Sequence, residues 1–236
     1  MKFTDHTIKV LKSLANINDS ILFPEGNCFR SVNETGDIFG MIVTDQTFEK
    51  EFAIYHLGEL LSTVGLLNDP QLEIKDGYMD LKGDSGRSKI KYFFTDPDMI
   101  KKAPKNVKMA SPEIAFELDW STLNKVKKAA DTFGYHEFYI TNGDGCIELA
   151  VADIDPQKGL NRAGNTFSIS VPGTFPKNAE FKFFIDLSKM GILMVGDYKI
   201  EVTKSKAAHF TLKNSPPGLS TEYYIATEKH STYGEK

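Results

Sequence analysis

The side chains that could perform catalysis are scattered along the chain. The turn at 83–86, Gly-Asp-Ser-Gly, mimics the nucleophile turn of chymotrypsin-like proteases, and Ala207-Ala208-His209 mimics their histidine segment. His209 follows the serine, which reverses the order in that family, and Arg87 replaces a glycine of the motif. A serine hydroxyl without a positioned base is a poor nucleophile. We therefore interpret Ser85 as part of a hairpin turn, while a hydrolase using Ser85 or a carboxylate pair stays as an alternative.

Metal-ligating side chains are equally dispersed. The five histidines lie far apart, and no two have the spacing of metal ligands. The segments 96–98, Asp-Pro-Asp, and 153–155, Asp-Ile-Asp, bring carboxylates close enough for a hard cation, but a calcium loop also needs a glycine and a glutamate at fixed offsets. We interpret these segments as turns. The sequence predicts no metal, no cofactor and no enzymatic activity.

Composition limits the class of protein. The 236 residues are 41% hydrophobic with a net charge of −4, which is ordinary for a globular chain and argues against a surface that coats nucleic acid. The longest apolar runs are a few residues, so a membrane span is not expected. Cys28 and Cys146 lie in apolar, strand-like runs, which favours two reduced core thiols in a reducing cytoplasm. Only a local basic face could bind phosphate.

Short alternating runs of β-forming residues dominate the sequence. The loop 142–145, Asn-Gly-Asp-Gly, predicts a tight hairpin because Asn and Gly tolerate positive φ, and Asp76-Gly77 predicts another. The predicted strands are 37–43, 48–55, 71–74, 88–94, 114–118, 136–141, 146–151, 166–171, 180–185, 198–203 and 222–226.

Four helical segments interrupt the strands, and their lysines are informative. The first, about 4–17, has a broad apolar face with Lys9 and Lys12 on the other side. The second, 56–67, has no Lys or Arg on its polar face. The third begins after the N-cap Asp119, ends before position 134 and directs Lys125 and Lys128 outward. The fourth is short, 186 to about 190, and contains Lys189.

The two halves of the chain repeat one order of elements. Each half has a basic amphipathic helix, then strands, then a Phe-rich strand that leads into a second helix. Between them, 95–112 contains three prolines and four lysines, which favour an extended linker. We predict an α+β fold of two similar domains of antiparallel sheets, at 1–95 and 113–236, joined by a linker at 96–112.

Four stretches of the sequence carry a family resemblance when they are taken together. They are 9–18 (Lys-Val-Leu-Lys-Ser-Leu-Ala-Asn-Ile-Asn), 53–57, 67–69 and 196–199 (Gly-Asp-Tyr-Lys). In these stretches, and collinearly over nearly the whole chain, the sequence resembles the DNA polymerase sliding clamps of T-even-type bacteriophages. Glu222-Tyr223-Tyr224-Ile225-Ala226 also resembles the ending of cellular ring clamps, although Thr227 stands where those usually have Pro.

The resemblance implies a DNA clamp fold that assembles as a homotrimeric ring around double-stranded DNA. Inner helices would face the duplex, and sheets would form the outer rim. A separate clamp loader ATPase would load the ring onto DNA, and the ring would act in the cytoplasm of the infected bacterial host. Contacts to phosphates would position the DNA without reading its sequence. The predicted DNA-binding residues are Lys9, Lys12, Lys125, Lys128 and Lys189.

The resemblance further implies an apolar pocket for peptides of partners such as the DNA polymerase, and edge strands that join subunits. The predicted edges are 88–94 and 166–171, since an unpaired edge is otherwise a liability. Two simpler interpretations stay open: lysines opposite an apolar helix face are usually a solvated surface, and the chain could be a β-rich structural or assembly protein unrelated to DNA. The predicted pocket residues are Ile100, Val107, Met109 and Tyr224.

Overall fold

The computed structural model describes residues 1–68, 70–83, 86–105, 107–155, 159–160 and 164–235. It contains two compact units, Met1–Asn106 with Ser215–Thr221, and Val107–Asn214 with Glu222–Lys236. The predicted domain boundaries stay a prediction, since the segment 215–221 belongs to the first unit. Within the described ranges, no helix is long and apolar enough to span a bilayer.

The described part of the first unit contains two α-helices and seven complete strands. Strand β1 pairs with β4, β2 with β3, and β6 lies between β5 and β7, all antiparallel. The elements in chain order are α1 (Asp5–Ala15), β1 (Ile21–Phe23), β2 (Gly26–Val32), β3 (Ile38–Phe48), β4 (Phe52–Ile54), α2 (Leu57–Leu66), β5 (Gln71–Ile74), β6 (Tyr78–Lys82) and β7 (Lys89–Phe93).

Aromatic rings fill the core of the first unit. Phe23 is fully buried and lies 4.5 Å from the ring of Phe52, nearly parallel to it, and 5.1 Å from the ring of Phe29, nearly perpendicular. Such stacked and edge-to-face pairs are the favoured arrangements of aromatic rings. Val10, Leu11 and Leu14 form the buried face of α1.

The described part of the second unit contains one α-helix and the remaining strands, although the strand Ser220–Ala226 begins in the segment that belongs to the first unit. Three antiparallel sets of strands form here, in the order β13-β10-β9-β15-β19, β14-β8-β16-β17-β18 and β11-β12. The elements are β8 (Ile114–Leu118), α3 (Trp120–Phe133), β9 (Glu137–Asn142), β10 (Ile147–Val151), β11 (Ile154–Asp155), β12 (Gly159–Leu160), β13 (Phe167–Val171), β14 (Gly173–Thr174), β15 (Ala179–Asp186), β16 (Tyr198–Val202), β17 (Ala207–Leu212), β18 (Ser220–Ala226) and β19 (Thr232–Glu235).

Three α-helices and both hairpins agree with the sequence predictions, and the fourth helical segment has a different geometry. Gly145 and Gly77 have φ of +72° and +82°, as the tight turns require. The segment predicted to be helical from 186 to about 190 is a 3-10 helix, Leu187–Ile192, rather than an α-helix. Met190 and Ile192 of this segment are buried. A short apolar segment that is held by packing does not need the hydrogen bonds of a full helix.

The predicted linker is partly packed rather than fully solvated. It begins with a short 3-10 helix, Pro97–Met99, and Ile100 is only 6% exposed. The Lys101 ammonium donates to the backbone carbonyl of Asn33 at 2.9 Å. The first half of the linker therefore belongs to the packing of the first unit.

Candidate nucleic-acid interface

Helix α1 presents two lysines on its solvent-exposed face. Thr4 caps the helix, since its side-chain oxygen accepts a hydrogen bond from the backbone N–H of Thr7 at 3.0 Å. Lys9 and Lys12 are exposed and three residues apart, so they are neighbours on one face. Asp5 lies in the first turn, where the positive end of the helix dipole stabilises a carboxylate. The face is locally basic, with two ammonium groups against one carboxylate.

Helix α3 presents a second pair of lysines in the other unit. The Asp119 carboxylate accepts from the Thr122 backbone N–H at 2.8 Å, and Gly134 ends the helix in the left-handed conformation at φ 72°. Lys125 and Lys128 are exposed and three residues apart, as on α1. The same spacing of cations on a helix therefore occurs once in each unit.

The Asp119 carboxylate has three hydrogen-bond donors around it. The hydroxyls of Ser121 and Thr122 donate at 2.6 and 2.7 Å, in addition to the backbone N–H of Thr122. These hydrogen bonds favour the ionised form and lower the pKa of Asp119 to about 2. The N-cap of α3 is therefore a carboxylate over the whole neutral range.

Helix α2 differs from α1 and α3 in its charge and in its cap. Its N-cap residue, His56, makes no capping hydrogen bond with its side chain. Instead Asp19, a residue distant in sequence, accepts from the Gly58 backbone N–H at 2.8 Å and lies 3.0 Å from the His56 ring nitrogen. Sequence analysis missed this role of Asp19, because local patterns do not report a cap supplied from 39 residues away. The charged residue of α2 is Glu59, so α2 adds no cation to a basic face.

Lys189 does not resemble the four helix lysines in its surroundings. Its side chain is only 14% exposed, and the ammonium donates to the Glu228 carboxylate at 2.8 Å and to the Ala226 carbonyl at 3.3 Å. A cation that is largely buried against a carboxylate is already neutralised within the chain. The structure therefore gives Lys189 a packing role, and it is not presented to DNA as predicted.

The four residues predicted to line a partner pocket have different surroundings. Ile100 is buried, whereas Val107 and Met109 are half-buried. Tyr224 stacks on the ring of His209 at 4.2 Å and donates its hydroxyl to Glu222 at 2.9 Å. Burial, followed by the Glu222 hydrogen bond, raises the pKa of Tyr224 to about 12. The pocket itself stays a prediction.

Both segments predicted to be edge strands are edges in the structure. Strand β7 pairs with β6 and ends one set of strands, and β13 pairs with β10 and ends another. Inward positions such as Ile90 and Ile169 alternate with exposed ones along both edges. Each edge has backbone groups on one side that a further strand could satisfy.

The catalytic alternatives gain no support. Ser85 lies outside the described residues. His209 lies 3.1 Å from the Glu222 carboxylate, and its hydrogen bond lowers the pKa of Glu222. Among the described residues, no three His, Cys, Asp or Glu side chains converge in a way that could hold a metal ion. Cys28 and Cys146 are free thiols and are half-buried rather than fully buried as predicted.

Comparison with known proteins gives one consistent answer. A family model described as the C-terminal part of the gp45 sliding clamp matches residues 115–229. A sliding clamp of Vibrio phage KVP40 is 29% identical over 231 residues, which covers 97% of this chain and 99% of that protein. Sliding clamps of Escherichia phage RB69 and Enterobacteria phage T4 are 24% and 23% identical over 99% of both chains.

Solved structures show the same fold at lower identity. A structure of PCNA from A. fulgidus with the C-terminal region of FEN-1 bound has a TM-score of 0.69 at 12% identity, and covers 95% of this chain and 96% of that one. The proliferating cellular nuclear antigen of Entamoeba histolytica has a TM-score of 0.68 at 13% identity, with 94% and 95% covered. The predicted DNA clamp fold is therefore confirmed.

Proposed function

We infer from these matches that the chain is a sliding clamp of the kind found in T4-type bacteriophages, and we propose that it tethers a DNA polymerase to duplex DNA as a closed ring. The observation that carries this proposal is the collinear similarity to phage sliding clamps over 97% of the chain or more. The alternative of a structural protein unrelated to DNA is not favoured. The proposed ring is a homotrimer with a mass of about 79 kDa, three times the 26.4 kDa of one chain.

The lysine pairs of α1 and α3 support a sequence-independent contact with duplex phosphates. Lys9, Lys12, Lys125 and Lys128 are exposed, while the chain as a whole has a net charge of −4. A negatively charged surface discourages DNA from binding elsewhere, so the local basic faces would position the duplex. Retention would come from enclosure, and weak contacts would let the ring slide.

The proposed ring needs partners that the chain does not supply. A closed ring cannot pass over a circular duplex, so a separate clamp loader ATPase would open it. The polymerase would dock through a peptide near Ile100, Val107, Met109 and Tyr224. The proposed setting is the cytoplasm of the infected bacterial host, because the matched relatives are phage proteins. The proposal needs no catalytic residue and no cofactor.

Two measurements test this function. The first compares retention of the loaded protein on circular and linear duplexes at moderate salt. A closed ring stays on the circular duplex and slides off the ends of the linear one. The second compares the variant Lys12→Ala/Lys125→Ala with the wild type in DNA loading. We expect weaker loading, an unchanged oligomer, and a log–log slope of the salt dependence of encounter that falls by about 1.8 for each subunit whose two lysines contact phosphates.

The control variant removes the same charge from a different surface. Lys199 and Lys213 lie on or beside strands β16 and β17 and pair with Glu201 and Glu117. Lys199→Ala/Lys213→Ala should load like the wild type. Equal retention on circular and linear DNA would contradict the ring, and unchanged loading of the α1/α3 variant would contradict the assigned DNA face.

A further inference from the structure

The edge strand β7 has a basic outer face. Lys91 lies opposite Asp80 in the pairing of β7 with β6, and Lys89 lies opposite Lys82. Their exposed positions alternate with the inward Ile90. The Lys89 ammonium lies 3.2 Å from the Asp80 carboxylate, and the Lys91 ammonium lies over the Tyr78 ring at 4.2 Å. Lys89 is thus paired with a carboxylate, and Lys91 is the cation that lies against an aromatic ring.

The edge strand β13 has a neutral outer face, and the neighbouring strand of its sheet has a carboxylate on the same face. Its exposed residues are Ser168 and Ser170, and its inward residues are apolar. Glu148 on the neighbouring strand β10 lies directly opposite Ser170 and so shares its face. Glu148 is half-buried between the buried residues Ile147 and Leu149.

The charges on the two edges favour one pairing over the others. Two β7 strands from different copies would bring lysines together, and like charges on facing strands are destabilising. Lysines on an edge are a known means of preventing such self-pairing. Strand β13 contains no charged residue in Phe-Ser-Ile-Ser-Val, so it does not repel β7.

The opposite edge of the same sheet has a different arrangement of charges. Strand β19 ends that sheet and contains Glu235, and on the strand next to it Lys182 lies opposite Thr232 while Glu180 lies opposite Gly234. Strand β13 contains no charge, and the one charged residue on the strand next to it is Glu148, opposite Ser170. The two edges therefore differ in where their charges lie.

On the basis of the proposed ring, we propose that Lys91 of one subunit and Glu148 of the next form the ion pair that selects β13 as the partner of β7. Adjacent strands are about 4.8 Å apart, so β10 lies about 10 Å from a β7 strand added to β13. The small side chain of Ser170 lies between them and leaves room for the long lysine chain to extend toward the carboxylate. Pairing of two different edges is heterologous and gives a ring when the rotation between subunits closes, whereas pairing of two β7 strands would give a two-fold dimer.

Charge reversal tests this pairing with a built-in rescue. The oligomer is measured by sedimentation over a range of concentrations for the wild type, Lys91→Glu, Glu148→Lys and the double variant. Each single variant should raise the dissociation constant of one interface by about fivefold, so half of the chains should be assembled only at a higher protein concentration. The double variant should return toward the wild type. Lys108→Glu makes the same charge change at an exposed linker position and should assemble normally. Circular dichroism of each variant checks that the chain is folded.

The possible outcomes separate this inference from the proposed function. Single variants that assemble like the wild type, or a double variant worse than either single one, would overturn the ion pair while leaving the ring intact. A wild-type chain that stays monomeric at every concentration would overturn the ring itself. A disulfide between Lys91→Cys and Ser170→Cys that joins two chains would support the pairing, and a cross-link within one chain would contradict it.

Discussion

The N-cap of α3 gives a direct test of how the lysine pair of that helix is held. Replacing Asp119 by Ala removes the acceptor for the Thr122 backbone N–H and for two hydroxyl groups. Loss of an N-cap side chain costs about 1 kcal/mol of stability, within a range of about 0.5–2. For a chain of this size that corresponds to a decrease in Tm of about 2–4 °C at a fixed protein concentration.

Acid should weaken the same cap in the wild type. The folded pKa of Asp119 is about 2, below its ordinary value of 3.8. A depressed folded pKa means that the ionised cap stabilises the fold above pH 3.8 and that this stabilisation is lost as the pH falls toward 2. Because Asp119 is exposed, solvent screening keeps the effect modest. Asp119→Asn retains an acceptor without a titrating charge. This variant should therefore not lose this part of its stability as the pH falls.

The assay is thermal and urea unfolding of both variants at neutral pH and between pH 4 and 2. Asp131→Ala is the matched control, since Asp131 is an exposed carboxylate in the last turn of α3, where the helix dipole disfavours it. We expect that control to be neutral or slightly stabilised. If Asp119→Ala unfolds like the wild type, or if Asp131→Ala loses as much stability, the capping argument is refuted.

Two further predictions concern packing, both measured by urea unfolding. Phe23→Ala removes a fully buried ring from the first unit and should cost about 3–5 kcal/mol, while Val195→Ala, at 77% exposure, should change little. Gly173→Ala would place a methyl group 3.0 Å from the Ala115 carbonyl oxygen and should destabilise by about 1–3 kcal/mol, whereas Gly191→Ala meets no atom within 4 Å and should be nearly neutral. Equal losses in either pair would contradict the packing described above.

Local signals in the sequence were sufficient for the long helices and the tight turns. Helix α3 could be predicted because Asp119 and Gly134 mark its ends and its apolar residues recur at helical spacing. Several strands were not predicted. The longest of them are β2, β6 and β17, which read Gly-Asn-Cys-Phe-Arg-Ser-Val, Tyr-Met-Asp-Leu-Lys and Ala-Ala-His-Phe-Thr-Leu. Their mixed composition has weak β-propensity, so pairing with neighbouring strands decides their conformation.

The candidate site shows the same division between local and long-range information. Exposure of Lys125 follows from helical periodicity, which the sequence contains. The pairing of Lys189 with Glu228, 39 residues away, and the burial of Ile100 depend on tertiary packing that no local pattern reports. Sequence therefore located the basic helices but could not separate an exposed lysine from a neutralised one.

The 3-10 segment Leu187–Ile192 makes the two halves of the chain non-interchangeable. It is anchored by the Lys189–Glu228 ion pair and by the buried side chains of Met190 and Ile192. Grafting the α2 sequence into this place would remove that anchor and would lack Asp19, which supplies the α2 cap in the first half. A chain built by fusing two copies of the first half would therefore need a different set of packing contacts around its second helix.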